Sequence, residues 1–190
     1  MSGRKARVVI LTAPSGSGKT TIARRVMEEV PELQFSVSAT TRPRRSHERD
    51  GVDYHFVDRQ QFQSYLDSGD LLEFEEVYPG RFYGTLRSEV ERKSRIGPVL
   101  LDIDVRGALT LKQLYGDDAF VIFVRPPSVE ELERRLQNRA TEDATTIRTR
   151  LDRAQEELQY ETQFDAVIVN DSLESAVSET LGRVRQFLNG

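Results

Sequence analysis

Ala13-Pro14-Ser15-Gly16-Ser17-Gly18-Lys19-Thr20-Thr21 brings two glycines, a lysine and several hydroxyls together just after the apolar run Val8–Leu11. That combination suits an anion. Glycines let backbone N–H groups close around phosphate oxygens, a lysine neutralises them, and a threonine hydroxyl next to it is placed for Mg²⁺. Gly16 and Gly18 are the close-approach positions, Lys19 is the cation that reaches transferred phosphate oxygens, and Thr20 is the metal-side oxygen. Ala13 stands where a Walker loop has its first glycine. A strand before the segment and a helix after it give the order such a grip needs, so the chain is expected to handle a nucleotide.

Two other groups of residues carry chemical content. Asp102 and Asp104 end the run Val99-Leu-Leu-Asp-Ile-Asp. At the C-terminal edge of a parallel sheet, where ligands collect, a carboxylate can organise Mg²⁺ or its waters. With a period of two, both carboxylates are expected on one side of the strand and Ile103 on the other. The segment Ser38–Tyr54 is rich in oxyanion-binding groups, with Arg42 and Arg45 three residues apart and the Tyr54 hydroxyl beyond them. The planar guanidinium fork makes bidentate, charge-assisted bonds to phosphate.

Positioning these groups requires a scaffold, and the hydrophobic pattern describes one. Val8–Ala13, Val99–Ile103, Phe120–Val124 and Ala166–Val169 are near-continuous apolar runs, as expected of strands in a parallel sheet covered on both faces. Phe35–Val37 is a further strand candidate. Helical spacing follows in Thr20–Val30, Val129–Arg139 with Ser128 as its cap, Asp143–Gln163, and Ser172–Leu188. Alternating strands and helices make the class α/β. Residues 38–94 differ, with short aromatic segments broken by polar residues and no long helix before Leu86, so an inserted, mostly β lobe is expected there. Polar residues 138–149 suit a mobile cover.

Composition narrows the partners. The 190 residues are 37% hydrophobic and 31% charged, enough for one core with inserted lobes, and the formal charge of −4 gives no broad basic face for nucleic acid. Arginines nevertheless cluster at 42–49 and 134–153, which favours bound phosphates. No cysteine is present, which excludes a disulfide scaffold and thiolate-bound metal. No segment approaches membrane-spanning length, and a cytoplasmic location is expected from the absence of targeting signals.

The phosphate loop taken with SVSATTRPRR, LLEFEEVY, FYGT, LLDIDVRG, FVRPPS, RLQNR and VIVND, in that order and spacing, resembles the guanylate kinase family from about Arg7 to Phe187. The resemblance implies a P-loop nucleoside monophosphate kinase fold: a core of about 1–37, 95–137 and 151–190, a GMP-binding lobe of about 38–94 and a lid of about 138–150. It implies phosphoryl transfer from Mg·ATP to GMP, with dGMP as a further acceptor, in a chain whose partners are ATP and GMP. Ser38, Arg42, Arg45, Glu48, Tyr54, Glu73, Tyr83, Thr85 and Asp104 fall on the family's GMP positions. Among these, Arg42, Arg45, Tyr54 and Tyr83 are implied to hold the phosphate, Glu73 and Asp104 to read the base, and Ser38 and Thr85 to help. Residues 13–21 match the ATP grip, Arg135, Arg139 and Arg150 match arginines that close on ATP phosphates, and Asn170 lies at the adenine position. Lys19, Arg42, Arg135, Arg139 and Arg150 are thus the implied catalytic set, with Thr20 directly on Mg²⁺ and Asp102 reaching it through water. Three features depart from the family pattern: Ala13, the order Arg42-Pro-Arg-Arg45, and one added residue around Tyr78–Arg81.

Physical logic supports Glu73 as the base reader. Guanine presents N1–H beside an amino group, and a carboxylate accepts both protons, whereas adenine would set a lone pair against it. In a closed pocket that mismatch costs a few kcal/mol, roughly a hundredfold. A kinase of another small acceptor is one alternative reading, and a non-catalytic phosphopeptide-binding module is another. The module has no need of Lys19, Thr20 or the arginines near 135–150.

Overall fold

The computed structural model describes residues 7–137 and 144–190. Its main sheet is entirely parallel, and the strand that precedes the phosphate loop lies at its centre. β1 (Val8–Thr12) is buried along its whole length, as five consecutive apolar or small residues require of a strand covered on both faces. α1 (Lys19–Glu29) follows and packs Ile22, Ala23 and Val26 inward. β2 (Gln34–Phe35) is short and lies at one edge of the sheet.

The chain then leaves the main sheet for a second one. β3 (Ala39–Thr40), β4 (His55–Phe56), β5 (Leu71–Tyr78) and β6 (Arg81–Leu86) form it in the order β4-β3-β6-β5. Between β4 and β5 runs α2 (Arg59–Ser68), a ten-residue helix in a region expected to be mostly β with no long helix before Leu86. Its signals are local. Asp58 accepts a hydrogen bond from Gln61 N–H as N-cap, and Phe62, Tyr65 and Leu66 recur on one side to meet Ala39, Phe82 and Leu86. The polar residues between them conceal that stripe from a search for long amphipathic runs.

α3 (Arg87–Ser94) returns the chain to β7 (Val99–Ile103), and α4 (Val105–Tyr115) leads on to β8 (Ala119–Arg125). α5 (Val129–Gln137), α6 (Ala144–Leu158), β9 (Ala166–Val169) and α7 (Leu173–Asn189) complete the chain. The main-sheet order is β2-β7-β1-β8-β9. One face packs Val9, Leu11, Leu100 and Ile122 against α1 and α7. The other packs Val8, Ile10, Leu101 and Val121 against Val90 of α3 and Ala108 and Leu111 of α4. Each large side chain so buried contributes roughly 1.5–3 kcal/mol. α5 and α6 pair through Leu132, Leu136 and Ala154, with Ile147 and Leu151 packed alongside.

The pairing of β1 with β7 positions the chemical groups. Thr12 lies beside Ile103, which sets the loop after β1 against Asp102 and Asp104. Both segments lie at the C-terminal edge, where strand order diverges from β1 towards β7 and β8, the place where open parallel sheets bind ligands.

Candidate active site

A cleft of about 300 Å³ runs between the phosphate loop, the second sheet and α6. Along one wall lie Ala13, Pro14, Ser15, Gly16, Ser17, Gly18, Lys19, Thr20 and Thr21. Gly16 and Gly18 have φ of 99° and 91°, a left-handed backbone that residues with a Cβ rarely adopt. Behind the loop the space is also filled: a Cβ on Gly16 would meet Leu132 and Leu136, and one on Gly18 would meet the Asn170 amide. Ala13, 5% exposed, packs into the core at the loop entrance, where a methyl group is accommodated.

Lys19 is aimed by two acceptors. Its Nζ donates to the Ile103 carbonyl at 2.6 Å and lies 2.5 Å from Asp102 Oδ1. Thr20 Oγ1 donates to Asp102 Oδ2 at 2.8 Å. One carboxylate at the end of β7 therefore ties together the lysine and the hydroxyl of the loop. Asp104 lies just past the strand in extended backbone and caps α4, accepting from Gly107 N–H at 2.9 Å. Both aspartates line the cleft as their spacing implies, and Asp104 has this capping role in addition.

The opposite wall carries Ser38, Arg42, Arg45, Tyr54, Glu73 and Tyr83. Arg42 is buried and nearly saturated. Its Nη1 and Nη2 donate to the two oxygens of Glu48 at 2.7 and 2.5 Å, Nη1 also reaches the Pro43 carbonyl at 2.9 Å, and Nε donates to Tyr83 Oη at 3.1 Å. Arg42 holds the Glu48 carboxyl down to about 2, and the guanidinium is raised in turn. Because Tyr83 accepts from Arg42, its own proton can be donated elsewhere. Tyr54 lies under the Arg42 guanidinium, 5.0 Å from ring centroid to Cζ, and burial raises its phenol. Arg45 is exposed, and its guanidinium bonds no other group among the described residues; Glu48 fixes only its backbone, accepting from Arg45 N–H at 2.8 Å.

Glu73 sits deepest. Thr85 donates a short hydrogen bond to its Oε1, and Gly107 of α4 leaves room for its other oxygen. Burial, and then the nearby charge of Asp104, push its carboxyl up to about 8. Thr85 and Glu48 are buried behind the cleft and bond Glu73 and Arg42.

Residues expected on the donor side come from α5, α6 and the end of β9. Arg150 lines the cleft and donates to Ser15 Oγ at 2.5 Å. Asn170 is buried beneath the loop, where its amide donates to the Ser17 carbonyl at 2.7 Å. Arg135 bonds Glu131 at 2.8 Å and the Asn170 carbonyl at 3.0 Å, supporting that brace from α5. Arg139 lies outside the described residues. Tyr78, Arg81, Thr146, Arg153 and Glu157 also line the cleft, and none of them is among the site residues expected from the sequence. Four cleft residues of α6, Thr146, Arg150, Arg153 and Glu157, recur at helical spacing, so the periodicity that reveals its apolar stripe also contains its polar one.

Comparison with known proteins agrees with this arrangement. A family profile described as Guanylate kinase matches residues 5–186. The guanylate kinase of Salinibacter ruber is 60% identical over 182 residues, covering 96% of this chain and 97% of the relative. That of Chlorobaculum tepidum is 47% identical, covering 96% and 93%. The crystal structure of guanylate kinase from Anaplasma phagocytophilum superposes with a TM-score of 0.80 at 32% identity, over 97% of this chain and 87% of that one. With its phosphate loop, its arginine-rich wall and its buried glutamate in one cleft, the chain belongs to the guanylate kinase family.

Proposed function

We infer that this chain transfers the terminal phosphoryl group of ATP to GMP, giving ADP and GDP. The observation that carries the reading is a single cleft with a phosphate loop on one wall and, on the other, exposed Arg45 and paired Arg42 beside a buried carboxylate. ATP phosphates lie in the loop, held by its N–H groups and Lys19, with Arg150 over them from α6. The GMP phosphate takes Arg45, the available proton of Arg42, and the hydroxyls of Tyr54 and Tyr83. Glu73 accepts from guanine N1–H and the amino group, with Asp104, Ser38 and Thr85 around it.

The acceptor oxygen is already anionic, so no general base is needed and catalysis consists of alignment and charge stabilisation. Lys19 is pre-aimed by Asp102 and Ile103, which lowers the reorganisation needed when charge develops on the transferring group. Mg²⁺, when bound with ATP, neutralises phosphate oxygens. The Thr20 hydroxyl and the Asp102 carboxylate, 2.8 Å apart, are hard oxygen donors of the kind it takes, Asp102 through its waters. Closure of the second sheet and α6 over both nucleotides keeps water from the phosphoryl group.

Coupled measurement of ADP release across GMP, dGMP, AMP, UMP and CMP tests the assignment. GMP and dGMP should be turned over at least about a hundredfold faster than the others at equal low concentration, the worth of one reversed buried hydrogen-bond pair. Equal use of AMP refutes the role of Glu73.

A further inference from the structure

β5 is interrupted twice. Its pairing with β6 shifts between Leu71 and Glu73 and again between Glu76 and Tyr78, so Leu72 and Val77 have no residue opposite them. Such bulges leave backbone groups outside the ladder and turn the strand. Leu72 uses the first to pack into the main core against the sheet face that carries α4. The second lies next to the turn Tyr78-Pro79-Gly80-Arg81, where Gly80 has φ of 74° and donates its N–H to Glu76 Oε1 at 2.7 Å. This is the stretch where the sequence pattern suggests one added residue.

The Val77 carbonyl, at this bulge, has a partner from another element. Arg153 of α6 reaches across the cleft and donates Nη1 to it. The same guanidinium donates Nε to Glu157 Oε1 at 2.7 Å and lies 5.9 Å from the centroid of the Tyr78 ring. Glu157 is buried, so the fork is held from behind, and Arg153 is one helical turn from Arg150 on the same side of α6. A charged donor bonding a backbone oxygen at a bulge is a strong link between elements far apart in sequence.

Resting on the assignment of ATP and GMP to the two walls, we propose that Arg153 is a positioning residue that latches α6 to the bulge at Val77, holding the GMP wall against the ATP wall during transfer. It acts without touching the reacting atoms. The bulge supplies the acceptor, Glu157 fixes the donor's rotamer, and Tyr78 provides an aromatic surface for the charge. The bulge and the arginine thus form one device, and the latch is made only when the two walls meet.

The test uses the full chain, which has no cysteine, with spin labels at Gln60→Cys on α2 and Glu156→Cys on α6, both exposed. With GMP and a non-hydrolysable ATP analogue, the chain carrying Arg153 should give one short, narrow distance. Arg153→Gln should give a longer, broader distribution and raise KM for GMP about tenfold, the worth of one charge-assisted hydrogen bond, with kcat changed less. Arg153→Lys keeps a charge beside Glu157, which protects folding, but lacks the fork that reaches two acceptors, so it should show the same shifts at smaller size. An unchanged distance distribution in both variants overturns the latch, whatever the kinetics. So does an unchanged KM for GMP in a folded variant. ADP release by the parent chain with GMP tests the assigned reaction separately, so failure of one is distinguishable from failure of the other.

Discussion

Gly107→Ala opposes two physical effects at one atom. Gly107 lies in the first turn of α4, and alanine is the better helix former by about 1 kcal/mol or less, so secondary structure alone predicts a slightly more stable protein. The surroundings predict damage to the site. A Cβ there would lie 2.9 Å from Glu73 Cδ and closer still to its Oε2. Non-bonded heavy atoms settle at about 3.5–4 Å, so the carboxylate must retreat by roughly 1 Å. Glu73 has little freedom to do so, because it is buried and Thr85 holds its other oxygen. A misplacement of about 1 Å at a recognition group costs on the order of a hundredfold, equivalent to about 2.7 kcal/mol. The expected result is a KM for GMP raised on the order of a hundredfold, with KM for ATP within about twofold and melting unchanged or slightly raised. Gly182→Ala is the control, since nothing lies within 4 Å of its added carbon in α7. It should change stability by less than about 1 kcal/mol and leave both KM values alone. A Gly107→Ala enzyme with a parent-like KM for GMP would refute both the steric argument and Glu73 as base reader.

Two further outcomes separate roles within the GMP wall. Arg42→Ala leaves the Glu48 carboxylate buried without its partner and should cost on the order of 3–5 kcal/mol in denaturant unfolding, whereas exposed Arg45→Ala should change stability by less than about 0.5 kcal/mol yet raise KM for GMP about tenfold or more; the reverse ranking would contradict the division between support and grip. Glu73 faces Asp104, Glu75 and the Thr85 hydroxyl, and its carboxyl is pushed up to about 8. A carboxyl raised on folding favours the protonated state, so its contribution to stability is complete below about 4.5 and is lost as pH rises through about 8. Accepting two protons from guanine requires the carboxylate, so GMP binding should release about one proton near pH 7 and almost none near pH 9, as read by calorimetry in buffers of different ionisation enthalpy. Identical proton release at both pH values would contradict the ionised reading of Glu73.

The parts legible in sequence are those with a period or a fixed local motif. β1, β7, β8 and β9 stand out because strands buried on both faces are almost wholly apolar, and the phosphate loop because its glycines, lysine and threonine are contiguous. α2 escapes notice because its stripe of Phe62, Tyr65 and Leu66 is short and serves a small local core. Arg153 and Glu157 escape it for another reason. They read as an ordinary i, i+4 ion pair on an exposed helix face, and only the turn of β5 towards α6 gives one of them a partner across the cleft. Asn170 shows the converse: its position is legible, but its hydrogen bond to the Ser17 carbonyl, beneath the loop, depends on packing that no local pattern encodes.

The chain carries net charge −4 although its cleft is rich in cations, and the pairing explains how both hold. Lys19 has Asp102 beside it, Arg42 has Glu48, and Arg153 has Glu157. In each pair the carboxylate fixes the cation's rotamer. It also lowers the attraction that the cation can offer an incoming phosphate. Such a pair is a poor device for capture and a good one for preorganisation, because the dipole is already oriented when charge develops. Capture then requires cations without such partners. Arg45, exposed and among the described residues bonded through its backbone alone, fits that need on the wall proposed for GMP. The division follows from the chemistry of phosphoryl transfer. The acceptor arrives already ionised and must first be attracted from water, whereas the transition state needs fixed charges that do not have to move. A cleft lined only by free arginines would bind nucleotides tightly and orient them poorly; one lined only by paired arginines would orient what it seldom held.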